Sequence, residues 1–115
     1  MIQIPQNIPN IYQLKPPAGQ LQHIIVSTPF QLQLQEFVVC NQGSSADQFR
    51  MALCAMPNSG GMCNPTPEMY MYYDVEIPAN TTFTVHMKAM TIPKDSSVLV
   101  YSANGDISFS LITLR

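Results

Sequence analysis

Hydrophobic and polar positions alternate along most of this chain with the period of two that marks a half-buried strand. Residues 31–35 read Gln-Leu-Gln-Leu-Gln. The alternation continues through Phe37 and Val39 in the opposite phase, so a slip at Gln35-Glu36 predicts a β-bulge or a bent strand that changes sheets. Over residues 48–56, Phe49, Met51, Leu53 and Ala55 share one face and Arg50, Ala52 and Cys54 the other. Over residues 81–90, Phe83, Val85, Met87 and Ala89 oppose Thr82, Thr84, His86 and Lys88. Further strands are predicted over 21–27, stopped by Pro29, and over 69–77, ended by Pro78. The firmest local signal closes the chain. Two runs rich in β-branched and aromatic residues, 97–102 and 107–114, flank Asn104-Gly105, which predicts a hairpin on a type I′ turn. In the second run Ile107, Phe109 and Leu111 fall on one face, as core, with Ser108 and Ser110 on the other.

These strands, seven or eight at intervals of about ten residues with turn signals between them, predict an all-β antiparallel β-sandwich, jelly-roll-like. No segment carries a sustained helical period. Residues 1–20 differ from the rest. Pro5, Pro9, Pro16 and Pro17 exclude a helix and a central strand. Yet Ile2, Ile4, Ile8, Ile11, Tyr12 and Leu14 are too apolar for a free tail. The reading is an extended proline-rich N-terminal arm, residues 1–20, followed by a sandwich domain, residues 21–115. The arm either lies along its own domain as an edge strand or reaches a neighbouring subunit. Residues 57–67, rich in Gly and Pro, predict a long loop that could carry a contact surface, with Met62 at its centre.

Composition adds a constraint on the surface. The chain has 115 residues, 46% hydrophobic and only 10% charged, with net charge −2. Soluble domains usually carry about 25% charged residues. The solvated face must come from Gln, Asn, Ser and Thr, and a surface so poor in charge is expected to be covered by partners. No basic stripe is present, which argues against direct nucleic-acid binding. No apolar run is long enough to span a membrane. The start of the chain lacks the pattern of a signal peptide, so synthesis in a cytosol without export is expected. The cysteines, Cys40, Cys54 and Cys63, show no CxxC spacing and read first as reduced thiols packed as small hydrophobes, with a disulfide or a metal cluster as the alternative.

Candidate chemistry is sparse. His23 and His86 have no second ligand at metal spacing and read as surface or edge histidines. Glu68, Asp74 and Glu76 are the nearest approach to paired carboxylates. No phosphate-binding glycine pattern occurs. Tyr70 and Tyr72, two residues apart, are expected on one face, paired with aromatic residues of adjacent strands or stacked on a sugar or base. No catalytic residue, cofactor or metal is expected. The candidate partner-binding residues are Ile2, Ile4, Ile8, Ile11, Tyr12, Leu14, Met62, Tyr70 and Tyr72.

Three stretches carry a family resemblance: residues 47–53 (Asp-Gln-Phe-Arg-Met-Ala-Leu), residues 70–83 (Tyr-Met-Tyr-Tyr-Asp-Val-Glu-Ile-Pro-Ala-Asn-Thr-Thr-Phe) and residues 97–109, ending Ser-Ala-Asn-Gly-Asp-Ile-Ser-Phe. They resemble small β-sandwich virion structural proteins of tailed bacteriophages, either capsid decoration (cement) proteins or accessory tail proteins. The cysteines and the 57–67 loop depart from that pattern. The resemblance implies a non-enzymatic virion protein that binds and stabilises a major-capsid lattice through its arm and sandwich surfaces. It implies the major capsid protein and the chain itself, as homotrimer or homodimer, as partners, and a place on the capsid surface after assembly in the bacterial cytoplasm. The alternatives are an accessory tail, neck, baseplate or fibre-associated protein, and a carbohydrate-binding module.

Overall fold

A computed structural model describes residues 9–54 and 63–114. Eight strands follow in order: β1 (Pro9–Leu14), β2 (Gln22–Ile25), β3 (Leu32–Asn41), β4 (Asp47–Cys54), β5 (Tyr70–Ile77), β6 (Thr81–Ile92), β7 (Ser97–Ser102) and β8 (Ile107–Leu114). A 3₁₀ turn, Pro67–Met69, leads into β5. One sheet has the order β1-β8-β3-β6 and the other β2-β7-β4-β5. Every pair is antiparallel. Among these strands, only β4 to β5 connects neighbours within one sheet; every other connection crosses to the facing sheet. This is an eight-stranded jelly roll. Within the expected arm, Pro9–Leu14 lies along its own domain as an edge strand, pairing with β8 from Pro9↔Leu114 to Leu14↔Phe109.

The two inner faces meet over an aromatic centre. Phe37 of β3 and Phe109 of β8 stack with ring centres 5.7 Å apart. Phe49 of β4 meets them at 6.2 and 6.1 Å, and Tyr72 of β5 closes on Phe49 at 5.8 Å. Leu32, Leu34, Val39, Met51, Val98, Val100, Ile107 and Leu111 complete a buried layer around them. The expected core positions Ile107, Phe109 and Leu111 are therefore all in place. So is the phase slip of β3. Its register shifts against both β6 and β8 between Leu34 and Glu36, with Gln35 as the extra residue facing β8. The bulge lets Leu34 and Phe37, three apart, both point inward.

The closing hairpin is not formed. β7 belongs to the second sheet and β8 to the first, so residues 103–106 cross between sheets. A type I′ turn needs positive φ at both central residues; here Gly105 has φ 79° and Asn104 does not belong to the left-handed residues. A distant side chain shapes this corner. Buried Asp47 accepts hydrogen bonds from the Asn104 N–H (2.9 Å), the Ser102 hydroxyl (2.8 Å) and its neighbour's Gln48 N–H (2.7 Å). Ser102 Oγ in turn accepts from the Gly105 N–H at 2.9 Å. A Cβ on Gly105 would lie 2.9 Å from the backbone nitrogen of Ala18, so φ and space both demand glycine.

Other crossings are pinned the same way. The buried Asn41 amide donates to the carbonyls of Ser45 and Ile77 at 2.9 and 3.1 Å, and its Oδ1 accepts from the Gly43 N–H at 2.9 Å. The buried Thr28 hydroxyl donates to the Pro93 carbonyl at 2.8 Å and accepts from the Ser96 N–H at 2.9 Å. Loops that pass over a core carry backbone groups that must find partners, and these short side chains supply them. Replacing Asp47 by Ala strands three donors at once. The expected loss is about 2–3 kcal/mol, seen in urea titration as a lower midpoint with an unchanged slope.

Candidate interaction surfaces

The outer faces of the two sheets have different chemistry, and register explains both. On the first sheet, rows of outward residues run across the strands: Ile11, Ile112, Glu36, His86; then Gln13, Ser110, Val38, Thr84; then Ser108, Cys40, Thr82. The polar members bond to one another. Gln13 Nε2 donates to Ser110 Oγ at 3.3 Å, Gln42 Nε2 to Ser108 Oγ at 3.4 Å, and Lys15 Nζ to Gln42 Oε1 at 3.2 Å. Glu36 and His86 lie 3.8 Å apart at the exposed end of their row. The result is a broad face of amides and hydroxyls, flanked on edge strand β1 by Ile11, which is 60% exposed.

On the second sheet the outer face is aromatic. Arg50 of β4 lies between two tyrosine rings, 4.1 Å from the centre of Tyr73 and 4.4 Å from that of Tyr101. Its Nε donates to Asp74 Oδ1 at 2.6 Å and its Nη2 to Asp74 Oδ2 at 3.3 Å. The Asp74 hydrogen bond raises the Arg50 pKa above its ordinary value. Asp74 reaches this position because its backbone is left-handed, φ 52°, at a register shift of β5 against β4. A second shift follows between Met51↔Tyr72 and Ala52↔Tyr70. Together these separate Tyr70 from Tyr72, which were expected on one face. Tyr72 packs inward against Phe37 and Phe49. Tyr70 turns outward and meets Tyr73 edge to face, with ring centres 5.1 Å apart. Pro65, Pro67, Tyr70 and Tyr73 line a cleft of about 360 Å³ there.

The cysteines depart from expectation. Cys54 and Cys63 form a disulfide, with Cα atoms 6.6 Å apart, and Cys40 is free. Spacing did not reveal the pair because the chain leaves β4 and returns over the same sheet before β5. Both half-cystines are buried with Ala52 and Leu99 in a small second cluster outside the sandwich, against which Leu21, Met69 and Tyr70 pack. Closing so short a loop stabilises the fold by roughly 2–3 kcal/mol. His23, expected as a surface or edge residue, stands half-buried on β2, the edge strand of its sheet, and works locally. Its Nε2 accepts the Cys63 N–H at 3.1 Å, which places the proton of the neutral ring on Nδ1. Burial holds its pKa below the ordinary 6.5.

The remaining sequence candidates are dispersed. Tyr12 and Leu14 are half-buried against the main core, and of the described arm residues named as partner-binding only Ile11 faces fully outward. Ile2, Ile4, Ile8 and Met62 lie outside the described residues. The carboxylates do not pair: Asp74 holds Arg50, Glu76 lies opposite Gln48, and Glu68 sits in the 3₁₀ turn, its pKa lowered by its own backbone N–H and the Thr66 hydroxyl. The histidines lie on different sheets. Among the described residues, no three His, Cys, Asp or Glu side chains converge as a metal site, and no helix is long and apolar enough to cross a membrane.

No protein-family model matches the chain, and no curated protein matches it in sequence. Two solved structures resemble it in fold. One is a chain in the structure of infectious bursal disease virus strain Gx, with TM-score 0.47 and 12% identity over 95% of this chain and 33% of that one. The other is a chain in the crystal structure of the T13 particle of the same virus, with TM-score 0.48 and 11% identity over 95% and 31%. The present chain spans about a third of the length of each.

Two measurements probe the aromatic face. Arg50→Ala removes two ring contacts and an ion pair that is partly open to solvent, so about 1–2 kcal/mol of stability should be lost. Arg50→Lys should recover less than half, because an ammonium cannot fork to Asp74 and stack between two rings. For His23, the unfolded chain takes up a proton at a pH where the folded chain does not. Stability from this group is therefore complete above pH 6.5 and falls as pH drops through that value toward the lower folded pKa. Denaturation midpoints measured from pH 7.5 down to 5.5 should show this slope in the parent and a flatter one in His23→Gln.

Proposed function

We propose that the chain is a virion structural protein, and specifically a capsid decoration protein that docks on a major-capsid lattice. The observation that carries this reading is the outer face of the first sheet. It is wide, dominated by uncharged polar side chains with Glu36 and Lys15 among them, linked internally by weak hydrogen bonds, and edged by exposed Ile11. When such a face is covered, its amides and hydroxyls can exchange water for hydrogen bonds to a partner, and it has little charge repulsion to keep copies apart. Repetition on a lattice would make each modest contact effective through avidity.

The fold supports the reading without fixing it. Jelly rolls serve capsids, lectins and cupins alike, and function must be argued from the site. A cupin-like metal centre needs converging histidines, whereas here His23 bonds the Cys63 backbone and His86 stands on the other sheet. The resemblance of residues 47–53, 70–83 and 97–109 to phage decoration and accessory tail proteins points the same way. On this reading the partners are the major capsid protein and further copies of the chain, around a three-fold or two-fold site, and its place is the capsid surface.

The aromatic cleft favours a second reading, an accessory tail or fibre-associated protein that meets a receptor through Tyr70 and Tyr73. Its weakness is the polar inventory: Arg50 and Asp74, the charged groups nearest the rings, are bound to each other and leave a sugar little to hydrogen-bond. Quantitative mass spectrometry of purified particles separates the two. A decoration protein scales in simple ratio with the major capsid protein, and a tail protein is present in a few copies. Absence from particles removes both. In the first case Ile11→Asp should change stability by less than about 0.5 kcal/mol yet weaken binding to undecorated capsids at least tenfold.

A further inference from the structure

Among the described strands, the connection from β4 to β5 alone stays within a sheet, and it carries the disulfide. Three observations tie that bond to the aromatic cleft. Cys63 stands two residues before Pro65, which forms one wall of the cleft. Cys54 Sγ touches Met69 Sδ at 3.6 Å, directly before Tyr70, which forms the other wall. Tyr70 itself packs on the cluster that contains both half-cystines. Besides the covalent bond, the Cys63 end is held to the sheet by the Cys63 N–H donated to His23 at 3.1 Å.

We propose that Cys54–Cys63 is a redox clasp for this cleft. Closed, it fixes the Pro65 wall against Tyr70 and Tyr73. Opened, it leaves the Cys63 end, among the described contacts, to its hydrogen bond with His23 and its packing on Ala52 and Leu99, and the cleft loses its shape. The chemistry is thiol–disulfide exchange with a small thiol such as glutathione. A thiolate attacks the sulfur of Cys63, which is 9% exposed against 2% for Cys54, and Cys54 departs as thiolate and takes up a proton. A second thiol resolves the mixed disulfide. Two small thiols are oxidised to one small disulfide, and two protein thiols are formed. Closure is the reverse, with glutathione disulfide as oxidant. Both sulfurs lie in an apolar cluster that accepts thiols as small hydrophobes, so the open state keeps the sandwich. The timing of the switch rests on the proposed virion role: the clasp is open inside a reducing cell and closes once particles meet an oxidising medium.

The test uses the purified full chain and needs no particle, so its outcome is independent of the virion reading. The chain is equilibrated across glutathione buffers from fully reduced to fully oxidised. Free thiols are counted by alkylation and mass spectrometry while tyrosine ring resonances are followed by NMR. The expected result is a passage from three reactive thiols to one, Cys40, with the Tyr70 and Tyr73 rings shifting in step and the Tyr12 ring unmoved. Cys40→Ala should keep the transition, and Cys54→Ala/Cys63→Ala should hold the rings at their reduced positions in every buffer. Reduced parent chain gives the same comparison if the double variant does not fold. Two outcomes overturn the proposal: thiols that pair while the two rings stay still, or thiols that never pair in any buffer.

Discussion

Phe37 is the point at which the two sheets are joined. It touches Phe109 on its own sheet and Phe49 and Tyr72 on the other. Four strands must each deliver one aromatic ring to this centre. A strand has a period of two, so a slip of one residue would send the ring to solvent. The bulges follow from that demand. β3 inserts Gln35 so that Leu34 and Phe37 both face inward, and β5 shifts register on either side of Tyr72 so that its ring stays inside. The left-handed Asp74 belongs to that second correction. The ion pair with Arg50 and the outward turn of Tyr73 are its consequences on the far side of the sheet.

The inward half of this arrangement was legible in the sequence. The phase slip at Gln35-Glu36 is visible because Leu32, Leu34, Phe37 and Val39 are all strongly apolar. The β8 core positions are visible because serines separate them. The outward half was not. Tyr70 and Tyr72 are chemically alike, so no contrast in hydropathy marks the shift between them. Asn104-Gly105 gave a strong local signal that tertiary structure overrode. The carboxylate that shapes the turn is Asp47, whose distance in sequence hides it, and β7 is buried on both faces. Val98 and Val100 face the core while Leu99 lies under the returning Cys63 segment, so β7 pairs with β2 and β4 instead of folding back on β8. The disulfide was hidden for the same reason, since it depends on a chain path above the sheet.

The low charge content acquires a location in the structure. Arg50 is used between two tyrosines, Asp47 inside a corner and Asp74 against Arg50. These charges serve the fold. The first sheet's outer face is left to amides and hydroxyls, with Glu36 and His86 together at one end. A composition that reads only as unusual therefore resolves into one face dominated by uncharged polar groups and another organised around a single cation.

Crossing connections make a jelly roll cooperative, because each one ties the position of one sheet to the other. Here several crossings are locked by a buried side chain: Asn41, Asp47 with Ser102, and Thr28 with Ser96. The β4–β5 connection is different in kind. It spans neighbours in one sheet, so it does not tie one sheet to the other. Closing such a loop has an entropic cost that grows with its length. The chain answers it outside the core, with a covalent tie between Cys54 and Cys63 and one histidine acceptor. The part of the molecule least needed to hold the sheets together is thus the part held by chemistry that can be undone.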